Sequence, residues 1–164
     1  MLNLFPLRDF EFKLNEATPE IWEQLKNKTE IRSSLVTVKT TKPFIGQVEK
    51  DKFKVITSTI ALGALCIFEG EFNGLHGSIT VQLNKAFKNI MLFFVTVWSL
   101  GAIVVIFSEG LSSSIDMLLG VVIFLLLVRV LIEFVFNSVL KSGLNELSIL
   151  LGIDELRETT LRGW

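Results

Sequence analysis

Two oppositely charged residues, Arg129 and Glu133, lie four positions apart within the apolar run 125–136 (LLLVRVLIEFVF). On a helix this spacing places both side chains on one face, where they can form an ion pair. A charge at the centre of a bilayer costs on the order of 3 kcal/mol, and such groups usually face a helix bundle or a water-filled path. The pair therefore has two interpretations: a structural pair that anchors a helix, or part of a pore, gate or subunit contact.

Lysine residues in the N-terminal half are a second candidate for binding chemistry. Lys50, Lys52 and Lys54 alternate along a predicted strand and so share one of its faces, and Lys42 lies just upstream. A basic face of this kind can hold an anion, a nucleotide or a lipid headgroup. Alternatively, it is solvated or leans towards anionic lipid. These four lysines are the candidates for a ligand site.

Residue types suited to catalysis or metal binding are scarce. The chain has one His, no Tyr and one Cys, and His76 lies in a glycine-rich stretch that predicts a turn. No C-x-x-C or H-E-x-x-H pattern occurs. Gly70, Gly74 and Gly77 are not followed by the helix that a phosphate-binding loop requires. We therefore predict no catalytic residue, no metal site and no cofactor, and we expect that the protein is not an enzyme.

Two segments are long and apolar enough to cross a membrane as helices. Residues 90–107 carry no charge over 18 positions, and a helix of that length spans about 27 Å, close to the roughly 30 Å hydrocarbon core. Residues 115–136 are interrupted by Asp116 at their edge and by Arg129 and Glu133. The alternative, a buried helical hairpin in a soluble protein, is disfavoured because core helices rarely stay apolar on all sides. We predict two transmembrane helices, at 90–107 and 115–136.

Basic residues at the ends of these segments predict their orientation. Lys85 and Lys88 precede the first segment and Lys141 follows the second, whereas the external loop 108–114 has no basic residue and contains Glu109. The positive-inside rule then places both termini in the cytoplasm. The N-terminal stretch lacks the pattern of a signal peptide, so we expect insertion through the two helices themselves.

Residues 1–89 predict a cytosolic, β-rich domain with one helix at about 19–28. Phe10, Phe12 and Leu14 alternate with charged residues, which is typical of a half-buried strand. Further strands are predicted at 31–40, 44–48, 52–58, 59–71 and 77–83. We expect a small antiparallel sheet or a partly closed barrel. The apolar run 59–68, at the start of the predicted strand 59–71, is expected to form the central strand of this sheet.

After the second span, residues 137–164 predict a cytosolic amphipathic helix and a tail. Leucines recur there every three or four positions, at Leu140, Leu144, Leu147 and Leu151. Gly143 and Gly152 are expected to mark the helix ends. Much of the short polar tail is expected to be mobile. The fold class is thus an α+β membrane protein: a sheet domain with one helix, a two-helix transmembrane hairpin and a C-terminal amphipathic helix.

A pore would require several copies of the chain. Two helices with one charged pair do not enclose a path, so a cyclic homo-oligomer would have to repeat Arg129 and Glu133 around its axis. Trp98 lies in the middle of the first span and not at an interface, and Gly101 and Ala102 nearby allow close approach of another helix. Packing within one hairpin explains these residues equally well.

The sequence resembles a group of small bacterial membrane proteins. The resemblance rests on an F-x-G-x-V pattern, a glycine-flanked hairpin at 70–77, a few alternating apolar residues and the two apolar segments that follow. The residues are Phe44, Gly46, Val48, Phe53, Val55, Ile79, Val81 and Leu83. The group combines a β domain with a helical hairpin, and among proteins of this size and layout the sequence most resembles the channel effectors of the Hailong anti-phage defence system. The resemblance covers about 44–136 and rests on spacing, so no ligand-binding residue is carried over.

From these observations we expect an oligomeric protein of the bacterial inner membrane. It would act as a ligand-gated pore or membrane-disrupting effector whose β domain senses a small anionic ligand. The resemblance implies that it acts in anti-phage defence and that the ligand is a nucleotide or short oligonucleotide. Its partners would then be the lipid bilayer, further copies of itself and that ligand. The alternative is a non-conducting, membrane-anchored interaction module that binds a protein through its β domain or C-terminal helix.

Overall fold

The computed structural model describes residues 5–15, 19–59, 62–109 and 115–159. The chain forms two compact units. The first, here called the sheet unit, comprises Met1–Asn84 together with Phe136–Trp164. The second, the helical unit, comprises Lys85–Val135.

Within these described ranges, the sheet unit contains one sheet of seven strands. The strands are β1 (Leu7–Leu14), β2 (Thr29–Ile31), β3 (Phe44–Val48), β4 (Lys52–Thr57), β5 (Cys66–Asn73), β6 (His76–Leu83) and β7 (Ile153–Thr159). Their order is β2-β3-β4-β5-β6-β1-β7. All neighbours are antiparallel except β2 and β3. The α+β class is confirmed, and the sheet is mixed because the long connection between β2 and β3 returns the chain in the same direction.

Two strand predictions need correction. The predicted strand 31–40 is wrong, since β2 ends at Ile31 and residues 32–43 form no strand. The predicted strand 59–71 begins only at Cys66, because residues 62–65 form a turn, and residues 60–61 lie outside the described part. β5 is nevertheless the middle strand of the sheet, and Cys66, Ile67 and Phe68 are buried in succession.

In the part of the chain that the structure describes, three helices accompany the sheet: α1 (Pro19–Lys28), α2 (Lys85–Glu109) and α3 (Ile115–Leu151). α2 begins five residues before the predicted span at 90. α3 continues through 137–151, so the predicted C-terminal amphipathic helix is not a separate element and Gly143 does not end it. Gly152 follows the helix with φ of 61°, a conformation that glycine adopts without strain.

The C-terminal segment is also more ordered than expected. Ile153–Thr159 is strand β7, which pairs with β1 along the edge of the sheet. Its burial is slight, and its polar sequence gives no alternation that would predict a strand. Residues 160–164 lie outside the described residues.

The main core of the sheet unit lies between one face of the sheet and the last part of α3. Phe44, Val55, Phe68, Ile79 and Val81 are fully buried on this face. Apolar residues of α3 are buried as well, among them Phe136, Val139, Leu140, Leu144, Leu147 and Leu151. A Cβ added at Gly143 would lie 2.2 Å from the Phe68 ring, so the absence of a side chain lets helix and strand approach closely.

The opposite face of the sheet carries a smaller apolar cluster. Ile45, Ile56 and Ile67 are its buried members, and Leu35, Val38 and Ala64 pack against them. Leu35 and Val38 belong to the segment 32–43, so these two apolar residues of the segment pack on the sheet although the segment is not a strand. The remainder of this face is polar.

Candidate functional site

The polar part of the sheet carries a row of directly opposed residues across five strands. Gln47 on β3 lies opposite Lys54 on β4, which lies opposite Glu69 on β5. Glu69 lies opposite Thr80 on β6, and Thr80 lies opposite Asp9 on β1. Since side chains alternate between the faces of a strand, these five residues share the polar face.

A second row runs parallel to the first. Lys52 lies opposite Glu71, Glu71 opposite Ser78, and Ser78 opposite Glu11 on β1. Arg157 on β7 lies opposite Glu11 and completes the row. Charges of opposite sign therefore face each other both where β4 meets β5 and where β1 meets β7.

Each lysine of β4 is bound to a glutamate of β5. The Nζ–Oε1 distances are 2.7 Å for Lys54 and Glu69 and 2.6 Å for Lys52 and Glu71. The hydrogen bond to Glu71 and its negative charge raise the pKa of Lys52. The Gln82 amide also donates to Glu69 at 3.0 Å. The β4 lysines are thus held in ion pairs on this surface.

A shallow cavity of about 370 Å³ covers this surface. Its charged lining residues are Glu49, Lys52, Lys54, Glu69 and Glu71. Three carboxylates against two ammonium groups make it slightly acidic, not basic. Sequence reasoning missed the glutamates because the pairing depends on strand register, although the alternating Glu69 and Glu71 were a visible signal.

The four candidate lysines do not form one cluster. Only Lys52 and Lys54 lie in β4, whereas Lys50 lies in the turn before it. Lys42 donates from Nζ to the backbone oxygen of Thr29 at 3.0 Å and thereby ties the connection after β2 to that strand. The structure brings together two of the four residues on the polar face.

In the helical unit, Arg129 and Glu133 form an ion pair within α3. Arg129 Nη2 lies 3.7 Å from Glu133 Oε2, which is longer than a hydrogen bond. The side chains are 46% and 33% exposed. Apolar neighbours on the same helix, including Leu131 and Phe134, are exposed as well. The pair thus interrupts an exposed apolar helix surface.

Trp98, the third candidate on the helices, contacts α3. Its ring stacks on Phe124 with centroids 4.7 Å apart and an interplanar angle of 28°. Ala102, one helical turn away, is buried. A Cβ added at Gly101 or Gly120 would meet nothing within 4 Å. Trp98 therefore packs α2 against α3, whereas no other atom of the described residues lies close to the position of a side chain at Gly101 or Gly120.

Both long helices are long and apolar enough to cross a membrane. The segments that qualify are Lys85–Val104 and Leu119–Leu151, and only 6% of the most apolar 18-residue window of each is buried. A helix in the core of a soluble protein would be mostly buried. The apolar surface of α2 and α3 is therefore mostly exposed, unlike that of a core helix.

Groups that could carry out catalysis are not assembled in the part of the chain that the structure describes. Burial raises the pKa of the Cys66 thiol to about 12, so it stays protonated and is not a nucleophile at neutral pH. His76 is exposed at the start of β6. Among the described residues, no three or more His, Cys, Asp or Glu side chains are grouped to hold a metal ion.

Comparisons with known proteins give no relative. No protein-family model matches the chain, and no curated protein or solved structure is significantly similar to it.

Proposed function

We propose that the protein is a homo-oligomeric protein of the bacterial inner membrane that acts as a pore opened by a small anionic ligand. α2 and α3 would cross the bilayer as a hairpin, with both termini in the cytoplasm. The observation that carries the proposal is the exposed apolar surface of these helices, interrupted by the Arg129–Glu133 pair. The role in anti-phage defence rests on the resemblance to the Hailong channel effectors.

Burial of the helices in lipid has a large driving force. Phe93, Val104, Phe107, Leu127 and Phe134 are each more than 60% exposed, and other apolar residues of α2 and α3 are exposed by more than a third. Complete burial of one such side chain contributes roughly 1.5–3 kcal/mol. Soluble monomers rarely expose contiguous apolar patches of more than about 300–600 Å². A bilayer would cover this surface.

The charged pair supports oligomerisation of the inserted helices. In lipid, the exposed parts of Arg129 and Glu133 would face hydrocarbon, and polar groups there usually turn towards other helices or water. One hairpin supplies no closed path, but a ring of copies would shield the pair from lipid. The pair would then line the ring or join neighbouring subunits.

The ligand part of the proposal concerns the cavity over Lys52 and Lys54. A nucleotide phosphate that binds there would replace Glu71 and Glu69 as the ion-pair partner of the two lysine ammonium groups. The released carboxylates would repel the ligand and each other. Binding would therefore change the charge pattern of the sheet, which is a suitable trigger for a gated protein.

A change at the two glutamates tests this ligand site. Glu69→Gln combined with Glu71→Gln is expected to strengthen binding of a short DNA oligomer about tenfold, or 1.4 kcal/mol, because the lysines lose their competing partners. Fluorescence anisotropy at fixed salt measures the affinity. The control variant, Glu23→Gln combined with Glu146→Gln, removes the same number of negative charges from residues that do not line the cavity. An equal gain in that control, or no gain in the test variant, would contradict the site.

A non-conducting interaction module is the second candidate. Ile149, near the end of α3, is 75% exposed within the sheet unit, and β7 lies at an edge of the sheet. A protein partner could cover Ile149 or add a strand along β7. In this function α2 and α3 would only anchor the sheet unit in the membrane, and the chain would not need to form an oligomer.

Liposomes distinguish the two functions. The full-length protein is reconstituted into dye-loaded vesicles of phosphatidylcholine and phosphatidylglycerol, and leakage is followed after addition of cyclic nucleotides or short DNA oligomers. We expect the protein to float with the vesicles and to release dye only with ligand. Failure to float would contradict membrane insertion. Flotation without leakage under every probe would favour the interaction module.

A further inference from the structure

A second cavity of the sheet unit lies between the last part of α3 and the β1–β7 edge of the sheet. Its volume is about 320 Å³. The residues that line it are Arg8, Phe10, Asn137, Leu140, Lys141, Leu144 and Glu158. None of these residues belongs to the candidate sites described above.

The cavity has an apolar floor and a charged rim. Phe10, Leu140 and Leu144 are buried and form the floor. The Arg8 guanidinium donates to Glu158 Oε1 at 2.7 Å, which fixes one wall of the rim. Lys141 is exposed on the other side. Among the lining residues that the structure describes, two cations and one carboxylate give the rim a net charge of +1.

Asn137 and Lys141 provide the donors for an anion. They lie four residues apart on α3 and so on the same side of the helix. Helical side chains lean towards the N-terminus of their helix, which for Lys141 is the direction of Asn137 and of the predicted span that ends at Phe136. Among the described residues, Lys141 has no ion-pair partner. Its ammonium group is available to a ligand.

We propose that this cavity binds the headgroup of an anionic phospholipid, with Lys141 and Asn137 contacting the phosphate. The inference rests on the proposed membrane insertion, because Asn137 follows directly on the predicted span and would meet the headgroup layer. A net charge of +1 complements a headgroup of charge −1, and the floor of Phe10, Leu140 and Leu144 suits the glycerol and first methylene groups. The lipid would hold α3 and the β1–β7 edge together.

Native mass spectrometry of the full-length protein in mild detergent tests the proposal. Phosphatidylglycerol, phosphatidylcholine and inorganic phosphate are the three probes. We expect phosphatidylglycerol to be retained in preference to phosphatidylcholine, and Lys141→Gln to weaken its binding about fivefold, since a basic residue near anionic lipid contributes about that factor. Glu158→Gln should strengthen binding by a similar factor, because it removes the negative charge that Glu158 contributes to the rim.

Lys28→Gln is the matched control, because it removes the same charge from the exposed end of α1, which contacts β2 and β3 at the other side of the sheet from β1 and β7. Its lipid binding should equal that of the wild type. Unchanged binding in Lys141→Gln, an equal loss in Lys28→Gln, or the same occupancy with inorganic phosphate alone would overturn the proposal.

Flotation with phosphatidylcholine vesicles separates this proposal from the proposed function. A wild-type protein that does not float contradicts membrane insertion itself. In the other case, the wild type and the Lys141→Gln variant float equally, and the variant keeps its preference for phosphatidylglycerol. That result contradicts only the headgroup site.

Discussion

Replacement of Arg129 by leucine is expected to lower ligand-dependent dye release at least tenfold. The change leaves the Glu133 carboxylate without the guanidinium 3.7 Å away. A charge near the centre of a membrane helix costs on the order of 3 kcal/mol, which corresponds to more than a hundredfold in an equilibrium. Glu133→Leu should have a similar effect, because it removes the carboxylate that faces the arginine within α3. Leakage from vesicles and the mass of the oligomer in mild detergent measure both variants.

The double variant Arg129→Leu with Glu133→Leu separates the two interpretations of the pair. It removes both charges, so helix insertion should recover. If the pair lines a water-filled path or a subunit contact, leakage stays low although the protein is inserted. If the pair only anchors α3, leakage returns to the level of the wild type, and that result would contradict the pore role. Val130→Leu, an apolar exchange between the two residues, is the control and should change nothing.

Gly143→Ala is expected to destabilise the sheet unit by about 1–3 kcal/mol. The new methyl group would lie 2.2 Å from Cζ of Phe68, which is completely buried, so the ring or the helix would have to shift within the core. In an exposed helix the same substitution would stabilise by about 0.5–1 kcal/mol, since alanine favours the helix. The sign of the effect therefore reports on the contact. Thermal unfolding of the purified protein measures it.

Gly120→Ala is the matched control within the same helix. Its added Cβ would meet nothing within 4 Å, so this variant should be neutral or slightly more stable. Combining Gly143→Ala with Phe68→Leu should recover part of the lost stability, because the smaller side chain makes room for the methyl group. A stable Gly143→Ala variant, or a double variant with the sum of both losses, would show that the close approach of α3 to β5 is not as described.

Local patterns predicted much of the sheet. The alternation of Phe10, Phe12 and Leu14 identified β1, and the glycine-flanked hairpin at 70–77 identified the connection between β5 and β6, where Gly74 has φ of 63°. The long apolar segments of α2 and α3 were equally visible. These features depend on residues that are close together in the chain, so they can be predicted from a single sequence.

Features that depend on distant residues were not predictable. Gly143 resembled a helix end, because nothing in the sequence shows that Phe68 occupies the place of its side chain. β7 is polar on both sides and becomes a strand only because β1 offers an unpaired edge. The lysine face appeared basic because the register that places Glu69 and Glu71 opposite the lysines is a tertiary property.

The pairing of β1 with β7 has a consequence for biosynthesis. A ribosome releases β1 early, but its partner at Ile153–Thr159 follows only after α2 and the whole of α3. Until then one side of β1 is an open template for other chains. Membrane integration of the helices would therefore precede closure of the sheet, and a chain stalled during translocation would display that unpaired edge to chaperones and proteases.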